Sequence, residues 1–240
     1  MGKGMASKAG KWLLADAERK LRDWLVPFVP RGVETYHLTL TTLVWCLGIL
    51  LFSWLALTSS IQWLWGVSAM ILLQYLTDLL DGEVGRQRNT GLIKWGFYMD
   101  HFLDYLFLCS ILGGYAILLP AEFYLEIVLV FALLTAFMVN SFLSFGATRE
   151  FHIAYLRIGP TEVRLIFILI NTLLIIFGRT HLAFALPYVL ILSAVGLAVV
   201  VYRTQRRMWA LDMEQKALQT TQGLTSKTKR TNVQRTKGGT

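Results

Sequence analysis

Four aspartates carry the chemistry that this chain can offer. They lie in the run Asp78-Leu-Leu-Asp81-Gly82-Glu-Val-Gly85-Arg86 and, after nine residues, in Gly96-Phe-Tyr-Met-Asp100-His-Phe-Leu-Asp104. Both runs border strongly apolar segments, where a carboxylate is costly to keep without a partner or a task. The spacings are three, nineteen and four residues. On a helix, residues three or four apart share a face, so each run can aim two carboxylates at one point. Such a point is strongly negative until cations fill it. Hard divalent ions such as Mg²⁺ take oxygen ligands and are commonly completed by substrate phosphates.

The glycines and the arginine extend the pattern. Gly82 and Gly85 follow the first acidic pair, so the backbone is expected to bend there and admit a ligand closely. Arg86 offers a flat fork of donors, suited either to balancing the acids or to holding a phosphate oxygen. Gly96 opens the next apolar segment and leaves room beside Asp100.

These residues resemble the signature of the CDP-alcohol phosphotransferase family (class I CDP-alcohol phosphatidyltransferases). That signature reads D-x2-D-G-x2-A-R, a gap of about eight or nine residues, then G-x3-D-x3-D. Asp78, Asp81, Gly82, Arg86, Gly96, Asp100 and Asp104 match, and Gly85 stands where the family has alanine, a change that keeps the position small. The resemblance implies a transferase of phospholipid biosynthesis that works with one or two divalent ions, Mg²⁺ or Mn²⁺. It implies Asp78, Asp81, Asp100 and Asp104 as metal ligands and Asp104 as general base. It also implies a nucleotide side lined by Asp78, Gly82, Gly85 and Arg86. An alcohol hydroxyl would attack the distal phosphorus of a CDP-alcohol and release CMP, a step that depends on charge neutralisation and in-line positioning. The donor expected is CDP-diacylglycerol with a small alcohol as acceptor. The reverse arrangement, CDP-choline or CDP-ethanolamine with diacylglycerol, shares the motif. Family members are commonly homodimers, so a homodimer is implied as well.

Two further stretches are read with the resemblance. Relatives often carry Pro-Asn-x-x-Thr at the start of the first span, but here Tyr36-His37-Leu38-Thr39-Leu40-Thr41 lacks the Pro-Asn. Thr39 is then the counterpart on the nucleotide side, or a hydroxyl bonding back to its own helix. In Gly159-Pro160-Thr161-Glu162-Val163-Arg164, Thr161 is a candidate helix cap. Glu162 and Arg164, with Arg149 and Arg157, are candidates for the acceptor side; the arginines equally serve membrane topology.

The elements that must hold these residues are membrane helices. The chain has 240 residues, 55% of them apolar and only 16% charged, against about a quarter charged in soluble domains. Six apolar segments, 36–58, 61–81, 96–118, 122–147, 163–178 and 183–202, come near the length that spans a bilayer. The expected fold is therefore an all-α integral membrane protein of six transmembrane helices (35–203), with an N-terminal region (1–34) before them and a basic tail (204–240) after. Within the first region, Trp12, Leu13, Leu14, Ala17, Leu21, Trp24, Leu25 and Phe28 recur at helical spacing among charges, as in an interfacial amphipathic helix. Residues 204–219 can extend the sixth helix, whereas 220–240 hold almost nothing apolar and are expected to be disordered.

Lys and Arg number seven before the first span, three between the second and third, three around the fourth-to-fifth connection and nine after Tyr202; only Arg179 falls on the other side. The positive-inside rule makes both termini cytoplasmic and puts the aspartates at the cytoplasmic end of spans two and three. No cleavable signal is read, and a bacterial inner membrane is expected. Nucleic acid is not expected, since no aromatics interleave with the tail's charges. Cys46 and Cys109 read as packing residues, His101 as packed or solvated, and Asn140 as an interhelical hydrogen bonder. A transporter or channel would spread acids along a mid-membrane path. A membrane prenyltransferase would carry more spans. The cluster at one end argues against the first, and six spans with the Asp-Gly-x-x-Gly-Arg run argue against the second.

Overall fold

The fold follows from small residues that let apolar helices approach closely. A computed structural model describes residues 14–148, 159–178 and 180–237, with side chains described as far as 219 except at 180 and 181. Seven α-helices are described: α1 (Ala15–Leu25), α2 (Thr35–Thr58), α3 (Leu64–Gln87), α4 (Ile93–Leu118), α5 (Tyr124–Thr148), α6 (Pro160–Phe177) and α7 (Thr180–Lys237). Among the described residues there is no strand, and the last six helices are long and apolar enough to cross a membrane. The chain is an integral membrane protein of six spans with a helix before them, as its apolar runs predict.

The centre is α2, which packs along both α3 and α4. Its buried stripe is Thr35, Thr39, Thr42, Cys46, Ile49, Ser53 and Ala56, alternating three and four residues apart. Membrane helices have no hydrophobic drive toward one another, so small and hydroxylated residues at the seam do the work through close packing and hydrogen bonds. Gly114 of α4 illustrates it: a methyl group there would lie 2.5 Å from Ser53 Oγ. The opposite faces carry exposed Leu43, Leu47, Leu51, Phe184 and Leu192, the surface expected toward lipid tails.

A second seam docks α6 on α3. Arg164, Phe167, Asn171 and Leu174 form one buried stripe on α6. Asn171 is fully buried; its Nδ2 donates to Ser68 Oγ of α3 at 3.2 Å, and its Oδ1 accepts from Tyr115 Oη of α4 at 3.1 Å. Both polar atoms of the Asn171 side chain thus have partners, which fixes the register of α6 against both neighbours. Farther out α5 packs on α7, where Asn140 Nδ2 donates to Thr204 Oγ1 at 3.3 Å, the interhelical bond expected of Asn140.

Two boundaries differ from the sequence reading. The second span does not stop at Asp81 and bend at Gly82; α3 continues unbroken to Gln87. Gly85 allows this by letting α3 lie against Thr35, since a methyl group on it would sit 3.0 Å from Thr35 Oγ1. The reversal comes later, at Asn89 and Gly91, both with positive φ. The last helix also does not end before residue 220 but runs to Lys237. Extending an existing helix needs one hydrogen bond per residue and no tertiary burial, so a polar composition does not by itself stop it.

Only part of the apolar stripe of α1 meets the protein. Leu14, Leu21 and Leu25 are half-buried, while Trp24 and Phe28 stay exposed and pack edge to face at 5.5 Å. Lys11, Trp12 and Leu13 lie outside the described residues.

Candidate active site

The two acidic runs meet because α3 and α4 both lie against α2. Carboxylate oxygens of Asp78 from α3 and of Asp100 and Asp104 from α4 all lie within 4.8 Å of one another. Three carboxylates at that distance repel strongly unless cations intervene, and more so where water is scarce. The donor set is all hard oxygen, which fits Mg²⁺ or Mn²⁺ and not a thiolate- or imidazole-seeking metal. The residues present therefore fit a divalent ion at this point.

Asp81 stands apart from these three. Its Oδ2 accepts a hydrogen bond from Thr39 Oγ1 at 2.9 Å, and its backbone carbonyl accepts one from Thr35 Oγ1. The Thr39 hydroxyl also lies 3.0 Å from the Thr35 carbonyl, so both readings of Thr39 meet in one residue. It bonds back to its own helix and touches an aspartate of the motif.

Arg164 enters the acidic cluster from α6. It is only 6% exposed. Its Nη2 donates to Asp78 Oδ2 at 2.7 Å and to Asp104 Oδ1 at 3.3 Å. Its Nε donates to Gln74 Oε1 at 2.7 Å. The rings of Tyr75 and Phe107 flank the guanidinium, with centroids 5.9 and 5.8 Å from Cζ. A buried cation of this kind costs several kcal/mol in desolvation on the order expected for an ion, and excellent partners must offset it. Here two carboxylates, an amide and two aromatic faces do so.

Other residues expected at the site are placed elsewhere. Glu162 faces away from the cluster: its Oε2 accepts from the Gly159 backbone N–H at 2.9 Å and its Oε1 from the Leu14 N–H at 3.1 Å. It satisfies orphan donors at the starts of α6 and α1, which helix ends require. Thr161 is not the cap of α6; its Oγ1 donates to Glu18 Oε2 of α1 at 2.7 Å, and the cap position belongs to Gly159. Arg86 is exposed and forks onto Glu83, with Nη2–Oε2 at 2.6 Å, because the acid one turn back is nearer than the aspartates. Gly82 and Gly96 leave open space, since a methyl group at Gly96 would meet nothing within 4 Å and one at Gly82 only Arg86. Arg149 and Arg157 lie outside the described residues. His101 Nδ1 donates to the Phe97 carbonyl at 2.7 Å and its ring packs on Phe97, the packed state expected of it, although Asp100 Oδ2 also lies 3.4 Å away.

Two contributors escaped the sequence reading, Gln74 and Thr35. Gln74 precedes Asp78 by one helical turn, so the same periodicity that pairs Asp78 with Asp81 puts it on that face. A lone amide within an apolar run is the signal that could have found it. Thr35 opens α2 under a cap in which the Glu34 backbone N–H donates to His37 Nδ1 at 3.0 Å.

A family model described as CDP-alcohol phosphatidyltransferase matches residues 38–216, from the first turn of α2 into the polar later part of α7. No curated protein matches the chain. The match takes in all four aspartates and Arg164 and runs over well more than half the sequence, and on it the chain belongs to the CDP-alcohol phosphatidyltransferase family, whose members are transferases of phosphate-containing groups in phospholipid synthesis.

Proposed function

We propose that the protein transfers a phosphatidyl group from CDP-diacylglycerol to a small alcohol, releasing CMP, at the cytoplasmic end of α3 and α4. The observation that carries this reading is the convergence of Asp78, Asp100 and Asp104 to within 4.8 Å beside a buried arginine. Asp78, Asp100 and Asp104, with Asp81 behind them, would hold one or two divalent ions. Bound there, Mg²⁺ or Mn²⁺ supplies neutralisation of the diphosphate and of the departing CMP. Asp104 serves as the base: a carboxylate oxygen takes the proton of the acceptor hydroxyl. The hydroxyl oxygen bonds to the phosphorus that carries the diacylglycerol, and the bond from that phosphorus to the bridging oxygen breaks, with CMP taking the electron pair. Holding the two reactants in line supplies much of the rate.

The nucleotide side is assigned to the open edge at Gly82 and to Arg86, whose exposed side chain can leave Glu83 for a phosphate. Gly85 and Thr39 support that edge from behind. Arg164 stands on the acceptor side of the cluster, with Arg149 and Arg157 assigned there from the sequence. The small acceptor is favoured over diacylglycerol because Arg164, with Arg149 and Arg157 shortly before it in the sequence, suits an anionic, water-soluble alcohol. The Lys and Arg distribution puts both termini in the cytoplasm, and Trp24 and Phe28 supply apolar surface for the membrane interface.

The test is CMP release by purified protein in detergent with Mg²⁺ or Mn²⁺. CDP-diacylglycerol, CDP-choline and CDP-ethanolamine would each be crossed with glycerol phosphate, serine, inositol, inositol phosphate and diacylglycerol. Release from CDP-diacylglycerol with one water-soluble acceptor is expected. Release only from CDP-choline or CDP-ethanolamine with diacylglycerol would reverse the donor assignment.

A further inference from the structure

Arginine facing two carboxylates ordinarily takes them side-on, with two parallel N–H bonds. Arg164 does not. Only its Nη2 reaches Asp78 and Asp104, because Nε is held by the Gln74 amide oxygen at 2.7 Å. Gln74 is itself 1% exposed and belongs to α3, four residues before Asp78. Tyr75 and Phe107 flank the guanidinium, so the plane is confined as well as its edge.

We infer that Gln74 is a positioning residue that holds Arg164 at the edge of the acidic cluster and so keeps carboxylate oxygens free for a divalent ion. The inference rests on the metal-binding reading of Asp78, Asp100 and Asp104. Both residues lie at the α3–α6 seam, so their separation is set by helix packing that Asn171 and Ser68 fix one to two turns away. Nε is the nitrogen that a side-on fork needs. With its acceptor gone, Nε turns to the nearest strong acceptor, an aspartate oxygen, and the guanidinium covers oxygens that a cation would use. Gln74 touches neither reactant nor ion; it acts through Arg164. Partners of this kind behind metal ligands change affinity by about 10- to 100-fold when removed.

The experiment is Mn²⁺ binding to the purified full chain in detergent, read by electron paramagnetic resonance without any substrate. Gln74→Met removes the acceptor and keeps length and volume; Gln74→Glu keeps an acceptor oxygen at the same reach. Gln74→Met is expected to bind Mn²⁺ about tenfold more weakly than wild type. Gln74→Glu is expected to bind at least as tightly as wild type. Adding Arg164→Met to Gln74→Met is expected to restore the affinity, because the competing cation is gone; a merely structural role of Gln74 would not allow that rescue. Unchanged affinity in Gln74→Met, or equal loss in Gln74→Glu and in the double variant, would overturn the inference. If Gln74→Met does not purify folded, Gln74→Glu decides alone, weaker binding in it being the contrary result. Wild-type protein that binds no Mn²⁺ would instead remove the metal-binding reading beneath it.

Discussion

Arg164 Nη2 donates to Asp78 Oδ2 at 2.7 Å, across 86 residues of sequence and between two membrane helices. This one bond ties the apolar docking of α6 to the chemistry of α3. It also gives the acidic cluster a permanent positive charge before any ion or substrate arrives. Taking that charge away leaves the carboxylates uncompensated, a change that costs about 3–5 kcal/mol at fully buried pairs and less here, where Asp78 is 24% exposed. Arg164→Met is therefore expected to melt at lower temperature in EDTA, with the gap to wild type narrowing when Mn²⁺ is added. Thermal unfolding in detergent reads it; a deficit of the same size with and without Mn²⁺ would show that Arg164 does not neutralise the cluster.

Asp104 is the proposed base. Asp104→Asn keeps the shape of the side chain and its oxygen for Arg164, but not its affinity for a proton. Turnover is expected to fall by about 10²–10⁴-fold, the range for loss of a general base, while folding and CDP-alcohol binding persist. Steady-state rates paired with CDP-diacylglycerol binding check it. A variant that keeps its rate would remove Asp104 from that role.

Asp81 is held by Thr39 and lies behind the three converging aspartates. Asp81→Asn is expected to raise the Mg²⁺ concentration needed for half-maximal activity. Thr39→Val should shift it in the same direction and by less, since it removes one hydrogen bond to a charged group, worth about 1.5–3 kcal/mol at most. A Mg²⁺ titration of both variants decides the order, and an unmoved titration in Asp81→Asn would exclude it as a ligand.

Gly85 departs from the alanine of the family signature, and its neighbour Thr35 explains the departure. A methyl group at residue 85 would stand 3.0 Å from Thr35 Oγ1, the hydroxyl that bonds to the Asp81 carbonyl. Gly85→Ala is expected to destabilise by about 1 kcal/mol, at the low end for overpacking. Thr35→Ala should relieve that cost when the two are combined, giving a coupling that distant sites do not show. Unfolding of the four proteins in the cycle measures it; strict additivity would mean that the two residues do not press on each other.

Glu162 separates a structural role from a chemical one. It bonds to the Gly159 and Leu14 backbone N–H groups, so Glu162→Ala should lower stability by about 0.5–2 kcal/mol, as loss of a cap does. The KM for the acceptor is expected to stay at its wild-type value. A raised acceptor KM with unchanged stability would return Glu162 to the acceptor side.

The aspartates were legible because their spacings of three and four project each pair from one helix face. The six spans were legible because long apolar runs have few alternatives in a chain of this composition. What stayed hidden depends on contacts between distant segments. Nothing local to Arg164 says that α6 docks on α3 with its arginine inward; that follows from a stripe shared with Asn171, whose partners Ser68 and Tyr115 lie on two other helices. Glu162 was read toward the site because it neighbours Arg164 in sequence, yet residues two positions apart on a helix do not face each other, and Glu162 turns to the Gly159 and Leu14 backbone N–H groups; Thr161, read as a cap, bonds Glu18 of α1 instead. The continuation of α3 past Gly82 was hidden for a related reason. Glycine permits a bend, but here Gly85 is used for close approach to Thr35 instead.

The most direct measurement is CMP release from CDP-diacylglycerol by wild type and Asp100→Asn, each with Mg²⁺ and with EDTA. Asp100 lies within the cluster and is assigned no part as base, so its loss reports on the carboxylate site itself. Release by wild type only with Mg²⁺, and loss of most of it in Asp100→Asn, is the expected result. CMP formed at the same rate in EDTA, or by Asp100→Asn at the wild-type rate, would contradict a reaction centred on these carboxylates.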